Sequence, residues 1–373
     1  MSRPLRKVTK GIVIAGNILL ALMFLLGSFS RFFDPTHWWV VGLFTLCLPY
    51  FLILLILFMI FWILTRPAWA LISAIALLLT WQTTQNIIPY RLSSSFTIQK
   101  KPGTIRIMSW NVEHFDILEH KSHPEIKQEM IDLINYYDPD IACFQEMVAG
   151  EDNKAINYIH EFLDKLHFSA YHYSYNAKLD FDHHHHFGVI IFSKFPMINK
   201  QTVGDNPFDY NSIFQYADVL INEDTVRVFN IHLQSLRFNN NNIEYLDKPT
   251  LENDSDLIKS KNIISKLKAG FMKRRNQALR VKDELDHSPY PNLLCGDFND
   301  VPNSFAYETI GKGMQNAFAK KGSGIGRTFS SISPTLRIDN IFTDKHFDIE
   351  QFIRVQKLLS DHFPIITDII LKK

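Results

Sequence analysis

The chain has 373 residues, 46% hydrophobic and 21% charged, with a formal net charge of +1, a globular composition long enough for two or three structural units. Its three cysteines exclude a disulfide framework, and their spacing excludes a cysteine metal site. Charge divides the chain: residues 1–90 hold six Lys+Arg and one acid, leaving 33 of 39 basic and 37 of 38 acidic residues to the remainder, net −4.

From the N-terminus, residues 11–30, "GIVIAGNILLALMFLLGSFS", carry no charge, and neither do residues 38–64, "WWVVGLFTLCLPYFLILLILFMIFWIL". A bilayer core needs about 20 apolar residues in a helix, and both runs meet that. A third run begins at Pro67, a favoured first helical position, and extends through 67–88 with polar last turns. Three membrane helices are therefore expected within residues 1–90. A cleaved signal peptide is the competing reading of the first run, but its apolar stretch is long and "LGSFSRFF" is a poor cleavage site. Arg3, Arg6, Lys7 and Lys10 precede the first run, and Arg66 separates the second from the third. By the positive-inside rule the N-terminus is cytoplasmic, and an odd number of spans places everything after Pro89 outside the cytoplasm. Trp38, Trp39, Trp81 and Tyr90 fit an interfacial aromatic belt.

Residues 91–103, "RLSSSFTIQKKPG", read as a polar linker, and residues 104–373 as one large domain. In that domain short apolar runs such as "TIRIMSWNV", "IACFQE", "GVIIFSK", "TVRVFNIHL" and "NLLCGDF" alternate with helical patterns such as "HPEIKQEMIDLINYY". The pattern is α/β, with two packed sheets and helices outside.

Six of the strands carry a polar group at or near an end. They supply Asn111, Glu146, His232, the "GDFND" turn with Asp297 and Asn299, Asp339, and the pair Asp361-His362. One such residue is ordinary loop chemistry, but a sandwich can gather six ends on one rim. Carboxylates and an amide oxygen without cysteine suit a hard cation, Mg²⁺ or Mn²⁺. Imidazoles can donate to phosphate oxygens or move protons. The set suits metal-assisted phosphoester hydrolysis.

The ordered motifs "SWNV" (109–112), "FQE" (144–146), "GVIIFSKFP" (188–196), "NIHLQS" (230–235), "RRNQALRV" (274–281), "GDFND" (296–300), "RIDNIF" (337–342) and "SDHFPI" (360–365) span nearly all of the domain. In that order they resemble the endonuclease/exonuclease/phosphatase superfamily, which includes deoxyribonucleases, apurinic endonucleases, inositol polyphosphate 5-phosphatases and neutral sphingomyelinases. The resemblance implies a four-layer α/β sandwich. It further implies that Asn111, Glu146 and Asp361 belong to the Mg²⁺ site, with Glu146 the principal ligand. Asp297 would position or deprotonate water, and Asn299 would contact phosphate. His362, oriented by Asp339, would contact the scissile phosphate, and His232 would be a candidate general acid.

Other polar residues have plainer readings. Asp300 and Asn303 suit turn and cap roles, Glu113 and His114 suit a loop, and Arg274, Arg275 and Gln277 suit packing and surface roles on a helix. Asp339 has a competing reading as a salt-bridge partner of Arg337. The run His183–His186 is either a solvated loop or a metal or phosphate contact, and residues 237–256 read as an Asn- and acid-rich insertion. The expected activity is hydrolysis of a phosphodiester by a membrane-anchored enzyme. A phosphatase of lipid head groups or inositol phosphates is the alternative, and a non-catalytic receptor on the same fold is a third reading. The net charge of −4, without a long basic run, leans away from long duplex DNA and toward small or membrane-borne phosphoesters.

Overall fold

The computed structural model describes residues 3–90, 95–115, 123–150, 158–175, 184–204, 213–236, 238, 240–248, 250 and 254–372. His183, residues 91–94 of the linker and parts of the 237–256 insertion lie outside them.

The N-terminal part is helical throughout: α1 (Arg3–Ser28), α2 (Pro35–Leu46), α3 (Leu48–Thr65), α4 (Ala70–Leu79) and α5 (Trp81–Ile87). Two stretches are long and apolar enough to cross a membrane, Lys7–Ser28 and Leu48–Thr65, with mean hydropathies of 2.2 and 2.6. The third expected span is not one continuous helix but a bent pair, a crossing only if its two halves are taken together. The 38–64 run is divided at Cys47, because Pro49 has no N–H to give to the preceding turn and starts a fresh helix. The 67–88 run is broken at Thr80, where Pro67–Leu79 and Trp81–Ile87 meet at 74°. Thirteen residues rise only about 20 Å, short of a hydrocarbon core of about 30 Å. The helices pack on one another through Phe24, Leu48, Leu52, Leu55 and Ala76, with a buried hydrogen bond from Ser73 to Asn17 at 3.0 Å.

The remaining chain is a sandwich of two six-stranded sheets. Its elements are β1 (Ile105–Asn111), α6 (Pro124–Tyr137), β2 (Ile141–Gly150), α7 (Tyr158–Leu166), β3 (Ala170–Tyr175), β4 (His185–Ser193), β5 (Met197–Gly204), β6 (Ile213–Ile221), β7 (Asp224–His232), α8 (Asn240–Asp247), α9 (Asp254–Asp286), β8 (Asn292–Asp297), α10 (Phe305–Gly311), β9 (Gln315–Asn316), α11 (Ala317–Lys321), β10 (Asp339–Thr343), β11 (Phe347–Arg354) and β12 (Ile365–Leu371). One sheet runs β11-β12-β1-β2-β4-β3 and the other β5-β6-β7-β8-β10-β9. Ile107, Cys143, Ile191, Val219, Val228, Cys295 and Ile341 pack between the sheets. On the outer faces, α6 and α7 cover one sheet through Ile131, Ile134 and Phe162, and α9 and α10 cover the other through Ala278, Val281, Leu285 and Ile310. These are the four layers expected. Central strands covered on both faces have no solvent side, so β1 and β8 read as apolar runs rather than as alternating ones.

Two buried ion pairs tie the frame together. Arg106 on β1 makes a bidentate contact with Asp368 on β12, at 2.7 and 2.9 Å. Its remaining N–H groups bond the carbonyls of Thr97, Ile98 and Tyr137, so residues 97 and 98 are fastened to the sandwich. Arg274 on α9 pairs with Asp300 at 3.0 Å.

The helical part and the sandwich interlock. Asp34, the N-cap of α2, takes Arg275 of α9 at 2.6 Å. Asn86 donates to the side chain of Asn303 at 3.1 Å, and Ser30 donates to the Asn303 carbonyl. Arg337, buried, donates to the carbonyls of Asn86, Ile87 and Ile325. Burial lowers its pKa to about 10.

Gly296 shows how closely the strands approach beside the polar turn. Its φ is +154°, and a Cβ there would lie 2.1 Å from the Ile231 carbonyl on the neighbouring parallel strand. Gly296→Ala should therefore cost roughly 2–4 kcal/mol of stability, by overpacking and backbone strain together. Thermal unfolding of the detergent-solubilised protein checks this; an unchanged melting temperature contradicts it.

Candidate active site

Strand register assembles the polar cluster. In the parallel pair β7/β8, His232 lies opposite Asp297, and in the antiparallel pair β8/β10, Asp297 lies opposite Asp339. Three neighbouring strands thus present an imidazole and two carboxylates in one row. His362 closes the row. Its Nδ1 lies 2.8 Å from Asp339 Oδ2, and its Nε2 lies 3.7 Å from Asp297 Oδ2. Phe329, bridged to His362, packs its ring against the imidazole at 5.0 Å.

The other sheet supplies Asn111 and Glu146. Asn111, the last residue of β1, donates to Asp297 Oδ2 at 3.2 Å. Glu146 reaches the site through a β-bulge. Phe144 and Met147 pair with Ile190 and Gly188, so Gln145 and Glu146 share Val189, and Glu146 has φ +54°. The extra residue changes which way Glu146 points, and its carboxylate lies 3.7 Å from both His232 Nε2 and His114 Nε2. Behind the bulge Gln145 donates to Asn230 at 2.7 Å. Asn230 in turn donates to the carbonyls of Phe144 and Ile190 and so joins the two sheets under the site.

Asp297 is 1% exposed and well held. It accepts from the Asn299 backbone at 2.7 Å and from the side chains of Asn299 and Asn111, each at 3.2 Å. Asn299, at φ +48°, spends its amide on Asp297 and on the Leu233 carbonyl at 3.0 Å. A contact from Asn299 to phosphate would require one of those bonds to be exchanged. Asp361 sits at the mouth, its side chain 38% exposed and its backbone N–H bonded to Glu113.

The electrostatics follow from burial. Burial pushes the Asp297 carboxyl up to about 7, against the pull of His362. Burial, and then the neighbouring Asp361 charge, push Glu146 up to about 7 as well. For His362 burial acts to lower the pKa, but the Asp339 and Asp297 carboxylates overcome it and hold the imidazolium well above the usual histidine range. Burial alone takes His114 down to about 4, leaving it neutral.

The structure thus brings Asn111, Glu146, His232, Asp297, Asn299, Asp339 and His362 together, with Asp361 at the rim. Arg337 turns away from Asp339 to the carbonyls of Asn86 and Ile87, so the salt bridge between them does not form. Asp300 and Asn303 are buried partners of Arg274 and of α5 rather than simple turn residues. His114 is part of the site, edge-on to Phe187, although the sequence reads it as loop. Its only signal was its place three residues after Asn111. Arg274 and Gln277 support the loop that follows His232, bonding the carbonyl and the N–H of Gln234. His186 stacks on Tyr175 at 4.1 Å.

The cluster can hold a proton near neutrality on a carboxylate and a positive imidazolium beside it. Since Asp339 is the first carboxylate sustaining that imidazolium, Asp339→Asn should move the His362 titration toward lower pH. NMR of the His362 ring reads this directly; an unmoved titration means that Asp339 is only a structural neighbour.

Comparison with known proteins now bears on this geometry. A sequence profile described as "Endonuclease/Exonuclease/phosphatase family" matches residues 108–362, and one described as "Domain of unknown function (DUF8431)" matches residues 10–87. The comparison with curated proteins finds no match. Among solved structures, an endonuclease/exonuclease/phosphatase family protein from Bacteroides thetaiotaomicron is 16% identical. It has a TM-score of 0.51 and covers 74% of this chain and 100% of its own. The human Nocturnin catalytic domain is also 16% identical with a TM-score of 0.51, covering 74% and 97%. Identities this low show the shared fold alone. The profile match is stronger evidence because it takes in every residue of the cluster from Asn111 to His362, and on it the chain belongs to the endonuclease/exonuclease/phosphatase family.

Proposed function

We propose that this protein is a membrane-anchored, divalent-cation-dependent phosphodiesterase in which Asp297 activates water against a phosphoester held by His362, His232 and Asn299. The family acts on phosphoester bonds as hydrolases. The observation that carries the reading is the row His232, Asp297, Asp339 and His362, delivered in register and closed by the 2.8 Å contact between His362 and Asp339.

The donor set fits a hard cation. Glu146, the Asn111 amide and Asp361 at the mouth offer oxygen, and the Asn111 oxygen accepts from the Glu113 N–H at 3.2 Å. Asp297, Asp339 and His362 also lie close enough together to surround an ion. There the raised pKa of His362 argues otherwise, because an imidazolium is a poor ligand and already balances the two carboxylates. Mg²⁺ or Mn²⁺ held by Glu146, Asn111 and Asp361 would offset charge developing on the phosphoryl oxygens.

The protein's own groups have separable tasks. His362, kept protonated by Asp339, donates from Nε2 toward a phosphate oxygen. Asp297 takes the proton of the attacking water, since its raised pKa lets it act as a base near neutrality. His232, 3.6 Å from Asp297 and buried, stands where it can return a proton to the leaving oxygen.

The N-terminal helices support anchoring. α1 ends beside the sandwich, and Lys10, near its other end, lies 5.4 Å over Trp69, just after α3. The cations at positions 3–10 and 66 thus share the end away from the sandwich, and the bent pair Pro67–Leu79 and Trp81–Ile87 leads the chain back to it; taken together as one broken span, that pair makes three crossings and favours a catalytic domain outside the cytoplasm.

Three outcomes test this reading. Asp297→Asn should lower kcat on a generic phosphodiester by roughly 10²–10⁴-fold while keeping the thermal midpoint. Full activity of that variant refutes the mechanism. Because Glu146 holds its proton up to about 7, a bound cation must displace that proton below pH 7. Mg²⁺ affinity should therefore fall about tenfold per unit on the acid side, with proton release seen by calorimetry in buffers of different ionisation heat. Glu146→Gln should abolish the proton release; a flat affinity between pH 5.5 and 8 would place the cation elsewhere. An alkaline phosphatase reporter at the C-terminus should be active outside the cytoplasm; activity only of a cytoplasmic reporter inverts the topology.

A further inference from the structure

The face of α9 that grips the N-terminal helices runs on beyond them. Lys268, Phe271 and Arg275 make the contact. Lys268 lies 5.5 Å over the Trp39 ring, Phe271 packs on Gly42, and Arg275 pairs with Asp34. Reading back along the helix at steps of three and four, the same stripe continues through Ile264, Lys261 and Leu257. Leu257 is 51% exposed, Ile264 44%, and Ile258 beside them 67%. The opposite side of α9 is the buried one, through Asp256, Ile263, Gly270 and Arg274. α2, with 12 residues, extends about 18 Å, and α9, with 33, about 50 Å, so the first turns of α9 lie past the reach of α2.

Past Asp254 and Asp256 of the first turn, the charges on this half of α9 are all cations, Lys259, Lys261, Lys266 and Lys268. Apolar side chains interleaved with lysines suit an interface in which apolar groups enter the acyl boundary and ammonium groups reach up to lipid phosphates. The neighbouring α2 presents Trp38, 58% exposed, and Trp39, the side chains favoured at that depth. Duplex nucleic acid would match the charge but leave Leu257 and Ile264 without a partner, whereas a bilayer accounts for both and is continuous with the helices already placed in it.

We propose that the N-terminal half of α9 lies on the bilayer surface through Leu257, Lys261 and Ile264, as a second, peripheral membrane contact of the catalytic domain that takes anionic lipid. This rests on the reading that α1 and α3 cross the bilayer. Its consequence is positional. Arg274 and Gln277 of the same helix hold the loop after His232, so the seating of α9 sets the catalytic cleft at head-group level, where membrane-borne phosphoesters are presented.

Nitroxide accessibility on the full chain tests it, in vesicles of phosphatidylcholine and phosphatidylglycerol. The background is Cys47→Ser, since Cys143 and Cys295 are buried. Labels at Leu257→Cys and Ile264→Cys should be relaxed more by oxygen than by a water-soluble nickel chelate. Labels at Asn262→Cys and Ala269→Cys, exposed on another side of the helix, should show the reverse. Labels at Leu22→Cys and Leu57→Cys, exposed on α1 and α3, report the anchor itself. If these two favour the nickel chelate, the spanning reading fails and the inference with it. If they favour oxygen while positions 257 and 264 behave like 262, the inference alone is overturned. Shielding of 257 and 264 from both reagents, with spin coupling between labelled copies, would show a second copy on this face and overturn it. Shielding that appears only on addition of duplex DNA would overturn it in favour of nucleic acid.

Discussion

Asp297 is a carboxylate with 1% of its surface exposed, set against a second buried carboxylate, Asp339, on the neighbouring strand. Two such groups cannot both be charged in a low-dielectric setting without compensation. His362 supplies it by lying between them, and the amides of Asn111 and Asn299 satisfy the remaining oxygens of Asp297. Each compensating group comes from a different part of the chain, so the pair is stable only when both sheets, the 299 turn and the 362 loop are all in place. The site is therefore a product of the whole sandwich, and the buried links beneath it, Gln145 with Asn230 and Arg106 with Asp368, serve the same requirement.

The helical N-terminus belongs to that frame as well. Arg337 precedes Asp339 by two residues, and its buried guanidinium is satisfied in large part by carbonyls of α5. Asn303 follows Asn299 by four and is held by Thr83 and Asn86. A segment that served only as a tether would not need buried hydrogen bonds to the loops flanking the 297–300 turn. Here removal of the helices would take away two of the three carbonyls that the Arg337 guanidinium bonds, leaving it that of Ile325. The break at Thr80 has the same origin. A straight helix would keep its backbone groups to itself, whereas the bent one turns α5 onto the sandwich and offers its last carbonyls to Arg337.

Much of this was legible in the chain. Apolar runs bounded by turn residues marked β1, β2, β7, β8 and β10, because strands buried on both faces have no polar alternation to dilute the signal. The polar residue at each strand end stood out for the same reason: Asp297 follows "NLLCG" and His232 interrupts "VRVFNIHL". The order of these motifs identified the family. Hydropathy likewise marked the N-terminal part as apolar helices, two of them long enough by themselves to cross a membrane.

Tertiary structure decided what depends on geometry between distant residues. Hydropathy sums over a window and does not see a hinge, so the restart at Leu48 shortened the second expected span and the bend at Thr80 turned the third into a bent pair. Glu146 owes its direction to a one-residue bulge, which has no compositional mark. His114 joins the site because the turn after Asn111 carries it toward Glu146, and Arg337 parts from Asp339 because its side chain is directed to the carbonyls of α5. The sequence by itself determined which residue types stand at the strand ends, and hence the chemistry available. Which of them meet, and with what charge, was decided by strand register and burial, because a carboxylate's pKa is set by the neighbours that folding brings to it rather than by those beside it in the chain.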